Sequence, residues 1–344
     1  RNWKEKTGYT YGLHGTPTTF TLEERIATLE GGLQTLLAPS GLSAITLVNC
    51  ALLSAGDEVL LPDNAYGPGK EFAMRELSRW GITHRFYDPM DVPAFEAMIG
   101  PGTRLAWVEA AGSVTMEFPD VRGLVQATRA KGVITALDNT WGAGLAFDPF
   151  ALGVDISMHA LTKYPSGGGD VLMGSVTTRD EELHIKLKYA HMRWGLGVGA
   201  NDAEAILRSL PTLPLRYDAQ DAAARVVAGW LRQRSEIGQL LHPAFEGSPG
   251  HGHWKALCTR AAGLFSVLFD ERYDSRQVDA FVDALQLFRI GYSWGGPVSL
   301  VVPYDLSGMR MLPQPYRGTL VRFSIGLEDP QDLIADLEQA LSHL

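Results

Sequence analysis

Short apolar runs and amphipathic stretches alternate along the first two hundred residues. Asp57–Leu61, Ile82–Tyr87, Arg104–Ala110, Val133–Leu137, Val154–Leu161 and Val171–Val176 each have the length and character of a buried strand. Between them, Lys70–Trp80 and Val121–Lys131 space their apolar residues at helical intervals. Ahead of them, Thr21–Glu30 predicts a short amphipathic helix. Thr21 is its N-cap, Glu24 the capping-box partner, and Gly31-Gly32 its end. The run Leu36–Ser43 predicts a turn feeding an apolar helix over Ala44–Leu53, closed by Gly56. Residues 1–20 are rich in Gly, Thr and Tyr without periodicity, as an extended arm would be. Apolar strands separated by amphipathic helices predict a mostly parallel sheet covered on both faces.

The pattern changes after about residue 205. Ala203–Ser209 is helical in pattern, Pro211 and Pro214 punctuate, and Ala219–Glu236 predicts a long helix. Strands Gly263–Phe269, Val298–Val302 and Leu320–Ile325 then alternate with helices Ser275–Leu285 and Pro330–Leu341. The expected organisation is an arm over 1–15, a large α/β domain over 16–211 and a smaller α+β domain over 212–344. A length of 344 residues with 45% hydrophobic and 20% charged residues fits two such cores. A formal net charge of −9 argues against nucleic acid or an anionic membrane as the main partner. Cys50 and Cys258 sit in apolar runs without a CxxC, the pattern of buried thiols in a reducing, cytoplasmic compartment. No run has the length of a membrane span and none resembles a signal peptide. The chain opens on Arg1-Asn-Trp-Lys without a methionine, which leaves open a preceding segment.

Candidate chemistry centres on Val154–Asp170, where an apolar run delivers Lys163 to a glycine-rich turn. The other seven lysines lie in polar or amphipathic surroundings that read as solvated surface, whereas Lys163 follows a buried strand. A lysine in a partly apolar site has a lowered pKa and becomes a nucleophile for Schiff-base chemistry; the alternative is a lysine snorkelling from a strand end. Asp138 ends the preceding strand, where ligands of open α/β sheets bind, although such an aspartate also serves as a helix cap. Together, an amine and a carboxylate meet the two demands of pyridoxal phosphate. The turn Ser40-Gly41-Leu42-Ser43 opens a helix and would present free amides to a phosphate, or merely cap the helix. Tyr66 follows a strand at the same edge and could stack on a cofactor ring or be structural. His242, His251 and His253 lack the convergent partners a zinc site needs, so a solvated loop is expected and no metal. No GxGxxG lies between a strand and a helix, which disfavours a nicotinamide enzyme.

Ala160-Leu-Thr-Lys163-Tyr with Gly167-Gly-Gly-Asp170, preceded by Leu137-Asp138-Asn-Thr-Trp141, resembles the Cys/Met-metabolism family of pyridoxal phosphate enzymes. Asn139-Thr-Trp141, Ala160, Tyr292-Ser-Trp294-Gly-Gly296 and Leu320–Asp329 look most like its cystathionine β-lyases. The resemblance spans essentially the whole chain. It implies a fold type I, aspartate-aminotransferase-like architecture with a seven-stranded-type sheet, in a homodimer or homotetramer with shared active sites. The implied reaction is α,β-elimination of cystathionine, or a related small amino-acid conjugate, to a thiol, pyruvate and ammonia. The runners-up are a γ-acting relative and a cofactor-poor homologue with a binding role. Carried onto this chain, it implies that Lys163 carries the cofactor, Asp138 pairs with the ring nitrogen and Tyr66 stacks on the ring. Gly41, Leu42 and Thr162 would hold the phosphate; Arg322, with Ser293 and Trp294, would hold the substrate. Tyr11 would reach the neighbouring subunit's site and, with Tyr66, assist proton transfer. Two features depart from the family pattern: Leu13 stands where an arginine is usual, beside His14, and Gly168-Gly169 replace a histidine and a serine.

Overall fold

The computed structural model describes residue 6 and residues 8–344; the remainder of the predicted arm, residues 1–5 and 7, lies outside the described residues. A first sheet holds β1 (Gln34–Ala38), β2 (Glu58–Pro62), β3 (Thr83–Tyr87), β4 (Thr103–Glu109), β5 (Ile134–Asp138), β6 (Ile156–His159) and β7 (Gly174–Thr178). Their order is β1-β7-β6-β5-β4-β2-β3. Only β7 runs antiparallel to its neighbours, and the pairings from β6 to β3 are parallel. The covering helices are α1 (Pro17–Glu30), α2 (Gly41–Leu52), α3 (Gly67–Phe72), α4 (Val92–Met98), α5 (Val121–Ala130), α6 (Glu181–Trp194) and α7 (Ala200–Ser209). A wider π turn, Ala73–Leu77, continues α3.

The central strands of this sheet are buried on both faces, as their apolar residues require, whereas the edge strand β3 is largely exposed. Val59, Leu61, Leu105, Trp107 and Ala136 enter one core with α2 and α6. The alternate residues Leu60, Ala106, Val108 and Leu137 enter the other, with α5. A period of two thus splits each strand between two cores.

The second sheet contains β8 (Ile237–Leu241), β9 (Leu264–Phe269), β10 (Arg289–Ile290), β11 (Leu300–Tyr304) and β12 (Leu320–Ser324), in the order β10-β11-β12-β9-β8. Its helices are α8 (Leu213–Leu231), α9 (His251–Leu257), α10 (Ser275–Ala284) and α11 (Pro330–Leu341). Phe265, Val267, Val321 and Phe323 pack beneath α8, α10 and α11. Leu264, Leu268 and Leu320 point the other way and join the core that contains Val108 and Leu137. On β12 this alternation puts Arg322 on the face that meets the first sheet's unit.

Several local expectations need correction. The N-cap of α1 is Thr16, boxed with Thr19 ahead of the preset φ of Pro17, and not Thr21. Thr21 lies inside the helix, its hydroxyl donating to the Pro17 carbonyl at 2.8 Å. β1 occupies part of the predicted turn, because pairing with β7 overrides the turn residues that follow it. Helix α8 starts at Leu213, six residues before its predicted start, since proline is tolerated in a first helical turn. Lys70 and Lys188 are buried rather than solvated. Lys70 finds a partner in Asp63 at 2.8 Å, the kind of pairing sequence spacing does not reveal. Cys50 is only half-buried, Cys258 fully so, and burial pushes their thiols up to about 11 and about 12. His242 is fully buried against Phe245 and Phe265, and His251 and His253 lie on α9, so these residues do not form a solvated loop. The rings of Phe245 and Phe265 account for the burial of His242, while His253 stays exposed on α9. Among the described residues no helix is long and apolar enough to cross a membrane.

Candidate active site

The carboxyl ends of the parallel strands open onto a cavity of about 570 Å³, closed on its far side by β9, β11 and β12 of the second sheet. Lys163 enters it from the turn after β6, a turn tied by the Ser166 hydroxyl to the Thr162 carbonyl at 2.7 Å. The Lys163 ammonium donates to Ser293 Oγ at 3.0 Å and lies 5.4 Å from the centre of the Trp294 ring. Burial pushes its pKa down to about 8, and the nearby Arg322 charge acts in the same direction, against the pull of Asp138.

Asp138 ends β5 on the cavity wall. Its Oδ1 accepts the Thr140 hydroxyl at 2.5 Å and the Thr140 amide at 3.0 Å. Burial nevertheless raises its pKa. Among the described residues this dry carboxylate has no salt bridge, so it is poised for a cation from the cavity. Behind it, Glu30 gathers His159 Nδ1 at 2.8 Å, Asn139 at 2.9 Å and Ser157 at 2.6 Å in a closed network. His159 lowers the Asp138 pKa, partly offsetting burial.

Opposite, α2 begins at Gly41, capped by Ser40 Oγ accepting from Ser43 N at 3.0 Å. The Gly41 and Leu42 amides therefore have no carbonyl partner within the helix, and both residues line the cavity. A Cβ on Gly41 would meet the Ala160 Cβ at 2.7 Å, so only glycine lets this helix end close on the turn that carries Lys163. Thr162 also lines the cavity, but its hydroxyl is engaged with Met173, accepting from the amide at 3.0 Å and donating to the carbonyl at 3.3 Å. Tyr66 precedes α3 on the wall, its amide donating to Glu109 Oε2 at 2.8 Å. Burial, then Asp138 and Glu109, raise its pKa. Arg322 is 7% exposed, donates to the Tyr292 carbonyl at 2.7 Å and stacks 5.3 Å from the centre of the Tyr304 ring. Held on β12 by backbone and ring, its planar fork is set for a carboxylate.

Tyr11, Leu13 and the Gly167–Gly169 turn stay apart from this cavity within one chain. Tyr11 is 64% exposed beside the short turn Gly12–His14, and Leu13 packs near Gly197. The Gly167–Gly169 turn lies against Gly296, not on the cavity wall. Glu109, Thr140, Ser113, Tyr304 and Met309 belong to the site and were not anticipated. Glu109 had a usable signal, since it ends the strand beside that of Asp138. Burial, then repulsion from Asp138, pushes its carboxyl up to about 8, against the Ser113 hydroxyl bond of 2.6 Å. Val114 also lines the cavity at φ 74°, a strained conformation for a β-branched residue, and its carbonyl accepts from Ser266 at 2.5 Å.

A lysine of lowered pKa in one cavity with a buried carboxylate, facing a glycine-started helix at the mouth of a mostly parallel sheet, defines a fold type I pyridoxal-phosphate-dependent enzyme. The buried Asp138 carboxylate, the open Gly41 helix end and the amine of Lys163 fit that cofactor's nitrogen, phosphate and aldehyde in turn. The chain belongs to the Cys/Met metabolism PLP-dependent enzyme family, whose model matches residues 2–342. It is 40% identical over 335 residues to a cystathionine beta-lyase of Bordetella avium, covering 96% of this chain and 83% of that protein. It is also 36% identical to an L-alanine/L-glutamate racemase of Wolbachia pipientis, covering 98% of this chain and 83% of that one. The crystal structure of cystathionine gamma synthase from Xanthomonas oryzae pv. oryzae superimposes with a TM-score of 0.92 at 29% identity, covering 98% of this chain and 88% of that chain.

Proposed function

We propose that this protein is a carbon–sulfur lyase that carries out α,β-elimination on cystathionine or a related cysteine S-conjugate. The observation that carries the reading is the position of the Lys163 amine, at a lowered pKa of about 8, in a cavity bounded by Asp138 and Arg322. The names borne by its β-lyase relatives support it further. Bound there, pyridoxal phosphate supplies an electron sink for the charge that develops at the substrate Cα. Asp138 would hold a proton at the ring nitrogen, the Gly41 and Leu42 amides would receive the phosphate, with Thr162 joining them once its hydroxyl turns from Met173, and Tyr66 would pack on the ring. Arg322 receives the α-carboxylate and so fixes which substrate bond faces Lys163. Lys163, once free, takes the Cα proton; the Cβ–S bond breaks with its electron pair on sulfur. Tyr66, whose raised pKa keeps it protonated, can return a proton to the departing sulfur. The products are a thiol and an enamine that water converts to pyruvate and ammonia. In this reading residues 16–211 form the cofactor-binding unit and 212–344 the substrate-closing unit, and Tyr11 serves the partner's site in a homodimer or homotetramer. The solved γ-synthase structure keeps γ-chemistry in view, and the products separate the two: pyruvate marks β-elimination, 2-oxobutyrate γ-elimination. Lys163→Ala is expected to lose both visible cofactor absorbance and turnover; pyruvate formation at the wild-type rate by that variant refutes the assignment.

A further inference from the structure

One buried pair takes no part in the chemistry above, yet lies directly behind it. Glu30 is the last residue of α1, which Gly31 ends at φ 75°. Its buried carboxylate sits at the negative end of the helix dipole, where a further negative charge is disfavoured. Three donors hold it: Asn139 Nδ2 at 2.9 Å and Ser157 Oγ at 2.6 Å on Oε2, and His159 Nδ1 at 2.8 Å on Oε1. Among the described residues no lysine or arginine pairs with Glu30, which leaves His159 as the side chain that can balance its charge. The carboxylate fixes the proton on Nδ1 and the orientation of the ring. Among the described residues His159 Nε2 has no hydrogen-bond partner, so the ring is not spent on a second acceptor.

Strand geometry sets this pair against the site. Along β6, Met158 is the register partner of Asp138 and lines the cavity, while its neighbours Ser157 and His159 turn to Glu30 on the other side. Of the two charges, His159 pulls the Asp138 pKa down more than Glu30 pushes it up, so the pair presents its positive end to Asp138. Asp138 has need of that. Burial favours its protonated acid, a form that cannot stabilise a protonated ring nitrogen, and only the Thr140 bonds act more strongly against burial than His159 does. Glu30, Asn139, Ser157 and His159 are each at most 1% exposed, so the network is complete within one chain whatever a neighbouring subunit adds to the cavity.

We propose that Glu30 and His159 are positioning residues that act through Asp138: the imidazole, held cationic by Glu30, keeps the Asp138 carboxylate ionised and thereby keeps the proton on the cofactor's ring nitrogen. The proposal rests on the reading that Asp138 meets that nitrogen. Charges then alternate from Glu30 through His159 and Asp138 to the ring. The test titrates the apoprotein, by absorbance, with pyridoxal phosphate and with its 1-deaza analogue, in which carbon replaces the ring nitrogen. Both compounds carry the same aldehyde and phosphate, so the ratio of their dissociation constants isolates the nitrogen. His159→Asn is expected to weaken the natural cofactor about tenfold, the factor of one pH unit in the proton affinity of Asp138, and to leave the analogue within about twofold. Glu30→Gln, nearly isosteric, is expected to act in the same direction, because it takes the counter-charge from the imidazole. Acting alone on Asp138, loss of the Glu30 charge would instead tighten the natural cofactor. A ratio unmoved in either variant, as a merely structural role predicts, or a tighter natural cofactor in Glu30→Gln, overturns the proposal. Asp138→Asn separates the two readings: a ratio that it shifts while the other variants do not leaves the Asp138 contact standing without the network, and a ratio that it leaves unmoved refutes the contact itself.

Discussion

The lowered pKa of Lys163 makes a quantitative claim about how the apoprotein captures its cofactor. At a pKa of about 8, about one lysine in ten is neutral at pH 7; at the ordinary 10.5 the fraction is about three in ten thousand. Burial and Arg322 together therefore raise the reactive fraction about 300-fold at neutral pH. Only the neutral amine attacks an aldehyde, so the rate of pyridoxal phosphate uptake by the apoprotein should follow that fraction. Stopped-flow absorbance at fixed cofactor concentration, from pH 6 to 10, is the assay. We expect the rate to climb about tenfold per pH unit and level off near pH 8. Arg322→Met removes the like charge but leaves the burial, so its break should move upward while remaining below the ordinary lysine value. A wild-type break above about pH 9.5 would refute the desolvation argument, and a downward move in Arg322→Met would refute the assigned sign.

Asp63→Ala strands the buried Lys70 ammonium and two backbone amides, and is expected to cost about 3–5 kcal/mol in denaturant unfolding. Adding Lys70→Met should restore much of that loss; a single-variant cost under about 1 kcal/mol would show the pair to be dispensable. His242 is buried and held neutral, its pKa pushed down to about 3. The unfolded chain binds that proton near pH 6.5 and the folded chain does not, so stability is full above pH 6.5 and declines as pH falls toward 3, by up to about 1.4 kcal/mol per unit. His242→Asn should flatten that acid limb in urea titrations at pH 7 and pH 5, and an unchanged slope would assign the acid sensitivity to other groups.

The sequence was most informative where one residue's chemistry and one element's period agreed. A strand end marked Asp138, a glycine-rich turn marked Lys163, and the apolar neighbours of Arg322 marked a buried strand; all three converge on one cavity. Glu109 carries the same strand-end signal as Asp138, but a lone glutamate at a strand end has several ordinary explanations. The start of α1 was misplaced because Thr21 and Glu24 imitate a capping box, while Pro17 and the Thr16–Thr19 pair form the real one. Strand β1 was hidden because its partner, β7, lies 140 residues further along the chain.

By itself, then, the amino-acid sequence determined the alternation of strands and helices, the two-sided burial of the first sheet's central strands, and the identities of the amine, carboxylate and guanidinium of the site. All but the guanidinium follow from local periodicity or from the chemistry of one residue type; Arg322 enters through the resemblance to the family. Only the tertiary structure decided which groups meet. It brings the Asp305–Thr319 segment of the second unit over the first and buries Lys70 and Arg310 against Asp63 and Glu117. It also sets Lys163 beside Ser293, 130 residues away. The reason is that pairing and desolvation are properties of neighbours in space. A lysine on an amphipathic stretch looks the same in sequence whether it ends in solvent or beneath a methionine that walls the cavity.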